Sequence, residues 1–496
     1  MNVHSLNDIP PEILSEIFSF LDPKTLLLCS SVCHLWLNTV KSSPELQYIL
    51  ELWADGMVPG TSVLTGADAL EALYRRRRAW KRLEWTSRNV VEIESLFLCR
   101  AYELVAGLFI QQQQGPDFLT ISLANLVDDS QNARATRCDG IELSNFEDFA
   151  IDPTQDLIVR FYTSEPAYLD CRTMSSHEPH PRANHPVFTF SLGRHIIGSF
   201  YIQIVDDIVA IFFSVPPCSF HLFNWRAGFM ITEVKDEQDV PFSFAEFHLL
   251  SSRSYVFAHA GNNPGFNSGQ IDIFTFDGDC PNSPTNIAIL ELPPVNPKVG
   301  ISSMIILAGP FCANAILGTP FTKANQNRIY MFLICYDIMK WCRLFVHWRW
   351  LHGYVIDHVR EKTGPTIVPW KEWGPQNTRM LPGATHQWNR HIIHGERVVL
   401  ACENRKFVQV YDFGIIPQRM PPVSQPTAEF KAVLHTEPST LVLNNVFQDI
   451  VTTSLPYMHM VRLLDEEYNL FLMDQDRILA MNSAEDSSHR MTVYTF

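Results

Sequence analysis

Ile9-Pro-Pro-Glu-Ile-Leu-Ser-Glu-Ile-Phe-Ser-Phe-Leu-Asp-Pro-Lys-Thr-Leu26, followed by Ser31-Val-Cys-His-Leu-Trp36 and Pro44-Glu-Leu46, is the stretch that decides how this chain is organised. Asp8 is placed to cap a helix, Pro10 and Pro11 suit a first turn in which a missing N–H costs nothing, and Glu12 complements the helix dipole. The spacing predicts a helix from about Pro11 to Leu21 carrying Ile13, Leu14, Ile17, Phe18, Phe20 and Leu21. That set covers more than the roughly 100° stripe one packing surface needs, so two faces of the helix are apolar. Asp22-Pro23 stops it and starts a short helix with Leu26, Leu27 and Leu28. Ser30 or Ser31 is placed to cap a third helix to Val40, with Val32, Leu35, Trp36 and Val40 at helical spacing, and Pro44 opens a fourth through Leu46, Ile49 and Leu52.

A unit of about forty residues in short helices lies below the size at which a chain usually folds without disulfides, metal or association, so its surplus apolar surface implies a partner. In order and without a gap, Pro10, Pro11, Glu12, Ile13, Leu14, Phe18, Leu21, Asp22, Leu26, Val32, Cys33 and Trp36 resemble the F-box motif. His34 and Leu35 depart from the basic residues the family often carries there, without touching an apolar position. The resemblance implies a helical docking module for the Skp adaptor of a cullin-based ubiquitin ligase. Its docking residues would be Pro10, Pro11, Ile13, Leu14, Ile17, Phe18, Leu21, Leu26, Val32 and Trp36, with Leu14, Phe18, Leu21, Leu26 and Trp36 as anchors.

Composition bounds the rest. The 496 residues are 46% hydrophobic, and 38 basic against 53 acidic side chains give a net charge of −15. Residues 1–88 hold nine basic and ten acidic side chains, leaving 29 against 43 for the remainder. That balance disfavours sequence-independent binding of nucleic acid and better tolerates a basic substrate segment. Eleven cysteines without a Cys-x-x-Cys pair, no Asn-x-Ser/Thr acceptor and no basic-then-apolar leader fit a reducing intracellular compartment, cytoplasm or nucleus. Val299–Thr322 lacks charge over a span long enough to cross a bilayer. Ser302, Ser303, Gly309, Pro310, Asn314, Gly318 and Pro320 interrupt it, and two buried strands around a Gly-Pro turn are expected instead, in a chain that spans no membrane.

Beyond the docking module, Trp53–Arg88 keeps a helical pattern and reads as a connector. Its basic run, Arg75–Arg78 with Lys81 and Arg82, stands as a solvated helix face or as a localisation or phosphate-contacting patch. Past Val90 the period changes to short strands, with no helical pattern of comparable length, which argues an all-β body. Three segments repeat a buried strand, a loop and an alternating strand: Ile208–Phe213 with Phe220–Asn224, Tyr255–Ala258 with Gln270–Thr275, and Arg397–Cys402 with Phe407–Asp412. That is the hairpin unit of a propeller blade, and the length left suggests about seven blades. The final alternating strand, Met491–Phe496, is expected to pair near Val90 or Tyr102 and close the ring. The expected architecture is therefore a small all-α domain, 1–52, a helical connector, 53–88, and a β-propeller-like substrate-recognition domain, 89–496. Gln111–Gln114, His177–Pro186 and Pro417–Pro426 read as exposed loops.

Chemistry-bearing patterns are sparse. His177, His180 and His185, and likewise His386, His391 and His394, lack the Cys or acidic companions and spacing of a closed metal site. Asp412-Phe413-Gly414 resembles the kinase magnesium motif, but no Gly-rich strand or His-Arg-Asp accompanies it, so it reads as a blade end. Asp206, Asp207, Glu466 and Glu467 fall at turns, where carboxylates bond to backbone. No catalytic residue, cofactor or metal is expected. Trp370, Trp373 and Arg379 lie in an expected long loop with Pro365, Pro369 and Pro375, amid a run of six tryptophans from Trp341 to Trp388. Two readings stand: part of a substrate surface, or rings packing the loop onto its blade with Arg379 in a structural ion pair. The Trp-Gly-Pro then Thr-Arg stretch also resembles one seen in fungal F-box proteins with propeller-like C-terminal regions. The function expected is substrate recognition within a Skp-cullin-F-box ligase, the alternative being a Skp-binding scaffold acting outside ubiquitination.

Overall fold

Prolines and polar caps set the start of the chain's first helices. Pro11, Pro23 and Pro44 occupy first-turn positions of α1 (Pro11–Ser19), α2 (Pro23–Cys29) and α4 (Pro44–Ala54), with α3 (His34–Ser42) between. Asp22 Oδ1 accepts from the backbone N–H groups of Lys24 and Thr25, both at 3.1 Å, and Ser43 caps α4. Three details differ from expectation. α1 stops at Ser19 and is preceded by Pro10 without a side-chain cap, while Asp8 lies outside the described residues. α3 starts after Cys33, because the Ser30 and Ser31 hydroxyls donate back to the Leu27 and Leu28 carbonyls and close α2 instead. The computed structural model describes residues 9–93, 101–112, 118–123, 136–137, 146–192, 200–214, 218–235, 244–260, 269–337, 339–361, 364–383, 390–415, 426–482 and 490–496.

The chain divides into two compact units, one of Met1–Thr86, Asn314–Ala324 and Phe496, the other of Ser87–Ala313 and Asn325–Thr495. In the first, Leu14, Phe18, Leu26, Val40 and Leu46 form a small core with Trp36 packed against it, Phe18 and Trp36 meeting edge to face at 5.3 Å. α5 (Gly66–Arg82), capped by Thr65, adds a second cluster of Leu52, Met57, Leu73 and Phe321. Phe321 arrives on a strand, Phe321–Lys323, that pairs antiparallel with Met57–Pro59, while the Tyr48 hydroxyl donates to the Pro320 carbonyl at 2.7 Å. Val299–Thr322 therefore does contain two strands, Ile301–Leu307 and Phe321–Lys323, but they belong to different sheets rather than facing each other across a turn. The basic run on α5 is engaged with acids: Arg77 meets Glu51 at 2.6 Å and Asp55 at 2.9 Å, Arg78 meets Glu71 at 2.9 Å, and Arg76 is buried over the Phe321 ring.

The second unit is a seven-bladed β-propeller. In chain order, the first strands of its blades are Tyr102–Val105, Asp148–Asp152, Phe200–Val205, Phe244–Ser251, Ile301–Leu307, Ile393–His394 and Leu470–Met473. The three repeated hairpins of the sequence are the second and third strands of blades three, four and six. Those strands are sandwiched between neighbouring blades, which is why Ile208–Phe213 and Ile329–Tyr336 are buried at every position and read as unbroken apolar runs. Tight turns join the strands; Ala106 and Gly107, with φ of 54° and 75°, make the left-handed pair that a two-residue hairpin requires. Closure comes from Ser87–Glu92, which pairs antiparallel with Arg490–Thr495 as the outer strand of blade seven, Val90 opposite Thr492.

Two helices interrupt the β body where only strands were expected: α6 (Trp348–Glu361) and α7 (Trp370–Asn377), both between the third and fourth strands of blade five. Gln111 and Gln112 sit buried in the second strand of blade one, not in a loop, whereas Gln113 and Gln114 lie outside the described residues. His180, expected in an exposed loop, is buried: Nε2 bonds to the Gln155 carbonyl at 3.1 Å and Nδ1 accepts from the Arg182 N–H. Of the Pro417–Pro426 stretch only Pro426 is described, and Trp388 also falls outside the described residues. No helix among the described residues is long and apolar enough to cross a membrane.

Candidate docking interface

α1 splits its apolar residues between two directions. Leu14 and Phe18, one turn apart, point inward and are 2% and 3% exposed; Ile13, Ile17 and Phe20 point outward, Phe20 at 83%. α2 repeats the division, with Leu26 wholly buried and Leu27 and Leu28 exposed, and Val32 adds a further exposed side chain in the turn before α3. The outward set is thus Ile13, Ile17, Phe20, Leu27, Leu28 and Val32, flanked by exposed Pro10 and Pro11. Of the expected anchors, Leu14, Phe18 and Leu26 lie in the core of the unit, and Leu21 and Trp36 pack against that core half-buried. Phe20, Leu27 and Leu28 are exposed apolar side chains outside the expected docking set. The signal available was the i, i+4, i+7 spacing of Ile13, Ile17 and Phe20, a stripe offset by one residue from the Leu14–Phe18 pair. Hydrogen bonds from Thr25 hold the Asp22 carboxyl between the two helices below its ordinary value, so it stays ionised and keeps α2 capped.

Trp370, Trp373 and Arg379 are brought together, but mostly inside the propeller. The expected loop is helix α7, in which Trp370 packs edge to face on Trp373 at 5.1 Å, and Trp373 stacks on Trp350 at 5.2 Å and donates its indole N–H to the Glu291 carbonyl. Gly374 permits this packing, since a Cβ there would meet the Trp370 ring at 2.4 Å. Arg379 is buried and forms no ion pair among the described residues; its guanidinium donates to the carbonyls of Leu455, Glu437 and Thr453 and to the Ser439 hydroxyl. Trp373 therefore ties α7 to blade four and Arg379 ties blade five to the strands Ser439–Leu441 and Val451–Thr453, while Trp370 borders a cavity of about 470 Å³.

The other sequence candidates resolve into structural pairs. Asp412 accepts from Arg397 Nε at 2.8 Å and from the Gly414 N–H at 2.9 Å, a blade end. Asp207 receives both Arg253 terminal nitrogens at 2.9 and 3.0 Å, and Glu466 meets Arg88 at 2.5 Å. No group of three or more His, Cys, Asp or Glu side chains placed to hold a metal ion occurs among the described residues.

With both units in view, the class is a small helical unit with exposed apolar side chains, joined in one chain to a propeller. An F-box-like family model matches residues 6–46, so the chain carries an F-box-like domain there. No curated protein matches the sequence. Among solved structures, a computationally designed protein, Ika8, aligns at 5% identity over 82% of this chain and 99% of its own, with a TM-score of 0.33. BamB from Moraxella catarrhalis aligns at 8% identity over 83% and 99%, TM-score 0.32, and the N-terminal domain of Nup159 at 10% over 83% and 95%, TM-score 0.34. Scores at that level carry no argument; the blade count rests on the strand pairings.

Proposed function

We propose that this chain is the substrate-recognition subunit of a Skp-cullin-F-box ubiquitin ligase, acting in a reducing intracellular compartment. The F-box-like helices dock on the Skp adaptor and through it a cullin, and the propeller holds a protein substrate. The observation that carries the reading is the uncovered set Ile13, Ile17, Phe20, Leu27, Leu28 and Val32, grouped on the two helices of an F-box-like domain. Exposed large apolar side chains clustered within some twenty residues of a small helical unit are the kind of surface a partner protein covers. A standard interface buries roughly 1,600 Å² in total, with aromatic and aliphatic side chains at its centre carrying most of the affinity. The chain contributes proximity: it keeps a substrate lysine near a ubiquitin thioester borne by another subunit, with no bond-making group of its own.

The test is pull-down of purified Skp adaptor by the full chain and by a variant carrying Ile17→Asp and Phe20→Ser. Loss of capture with unchanged thermal unfolding supports the face; undiminished capture removes it. A complex that recruits the adaptor but never a cullin favours the alternative, a Skp-binding scaffold outside ubiquitination.

A further inference from the structure

At the hub of the propeller, blades one, three and four and the turn before blade six send polar side chains to one cavity of about 90 Å³. Glu103 comes from the first strand of blade one, Tyr201 and Gln203 from that of blade three, His248 from that of blade four, and Arg390 and His391 from the turn. Their hydrogen-bonding roles are fixed from behind. The backbone carbonyl of Leu249 can only accept, so His248 Nδ1, 2.9 Å away, carries the proton and Nε2 is left as a bare acceptor. His248 is 6% exposed, and no described residue bonds to that nitrogen. Gln203 Oε1 accepts from the Leu249 N–H at 2.8 Å, which leaves its amide N–H₂ free to donate.

The charges around the cavity are unevenly matched. Glu246 is met by Arg390, whose Nη2 lies 3.5 Å from it and whose guanidinium covers the Tyr201 ring at 3.5 Å. Arg328, behind Gly309, is committed to the Gly309, Pro310 and Asn325 carbonyls. Glu103 faces the His391 ring at 3.6 Å, with the Arg390 charge acting on it through space. Burial, and then the neighbouring Asp148, push the Glu103 carboxyl well above its ordinary value, and burial lifts Asp148 itself to about 7. Burial holds both imidazoles neutral, His248 down at about 3 and His391 at about 4. The positions open to a ligand are thus the Glu103 carboxyl, which burial keeps protonated until a cation faces it, and an imidazole lone pair, above apolar walls of Val105, Ile151, Leu307 and Phe311.

We propose that this hub cavity binds a primary ammonium group, its N–H donors directed to the Glu103 carboxylate and to His248 Nε2 and its alkyl stem against the apolar walls. An ammonium carries three donors and no acceptor, which suits two acceptors lining one cavity, and its charge offsets the burial that otherwise favours the protonated Glu103 carboxyl. The ammonium can come from a free amine or from a lysine side chain of a bound polypeptide.

Isothermal titration of the full chain with n-butylamine and with Nα-acetyl-lysine methylamide separates these sources, with the Nζ-acetylated derivative and tetramethylammonium at equal ionic strength as controls. Saturable binding of both amines and of neither control is expected; binding of n-butylamine alone assigns the site to free amines. Glu103→Gln, nearly isosteric, weakens binding about tenfold or more, the loss of one charge-assisted hydrogen bond. Independently of any variant, affinity falls as pH is lowered through neutrality, because the Glu103 carboxyl, raised by burial, and Asp148, at about 7, take up protons and the cluster loses negative charge. Absence of saturable binding, equal binding of tetramethylammonium, or indifference to both Glu103→Gln and pH overturns the proposal. The titration needs no adaptor, so its failure leaves the docking face standing, and failure of adaptor capture leaves the cavity standing.

Discussion

The two units solve opposite packing problems. In the propeller, each central strand lies between two neighbouring blades, so apolar side chains on both faces are covered; Ile329–Tyr336 has all eight residues buried. In the helical unit, α1 and α2 are apolar on two faces and cover only one, leaving Ile17, Phe20 and Leu28 in solvent while Leu14, Phe18 and Leu26 are enclosed. Identical residue types are therefore structural in one place and available for binding a few residues away. What separates them is whether a second layer exists.

That contrast can be broken or sharpened experimentally. The largest effect should follow from removing residues 490–496, which deprives blade seven of its third strand and Ser87–Glu92 of its partner. The expected outcome is loss of cooperative unfolding and of a monomeric elution position on gel filtration; survival of both would deny that the ring depends on this closure. Next comes Leu26→Ala, a cavity in a core of only a few side chains, expected to destabilise the helical unit by about 2–5 kcal/mol in denaturant titration. Ile17→Asp with Phe20→Ser should instead leave unfolding within about 0.5 kcal/mol of the parent while costing adaptor affinity about 2 kcal/mol or more by calorimetry. If the two variants unfolded alike, the division of α1 into inner and outer faces would be wrong. The smallest effect belongs to Asp22→Ala, which removes the cap of α2. Because the folded carboxyl titrates below its ordinary 3.8, the cap stabilises fully above that value and fades as pH falls through the folded one. Melting temperatures of parent and variant should differ near neutrality and converge in acid.

Much of this was legible in the chain. The N-terminal helices announce themselves through proline and capping residues at fixed offsets, and the propeller through hairpins that repeat at the second and third strands of blades three, four and six. Which face of α1 turns inward was not legible, because both are apolar and the choice depends on α3, whose Trp36 meets Phe18. The parallel strand Thr366–Val368 on blade four and the strand Phe321–Lys323 are three residues long, too short to carry a period. Trp370–Asn377 reads as loop because Gly374 and Pro375 are poor helix formers, yet ring packing against Trp350 and Trp373 outweighs propensity. The hub cluster escaped because Glu103, Gln203, His248 and Arg390 are far apart in sequence, and only the closure of the ring brings them to one cavity.

Closure by Ser87–Glu92 carries a consequence for how the chain is made. The strand leaves the ribosome early, and its partner, Arg490–Thr495, follows almost four hundred residues later, a delay of roughly 20–80 s at common elongation rates. Met57–Pro59 waits likewise for Phe321–Lys323. Until those partners emerge, the second well before the first, the nascent polypeptide has unpaired edges and an apolar helical surface to shield, and a chaperone that engages emerging segments is the natural guardian of them.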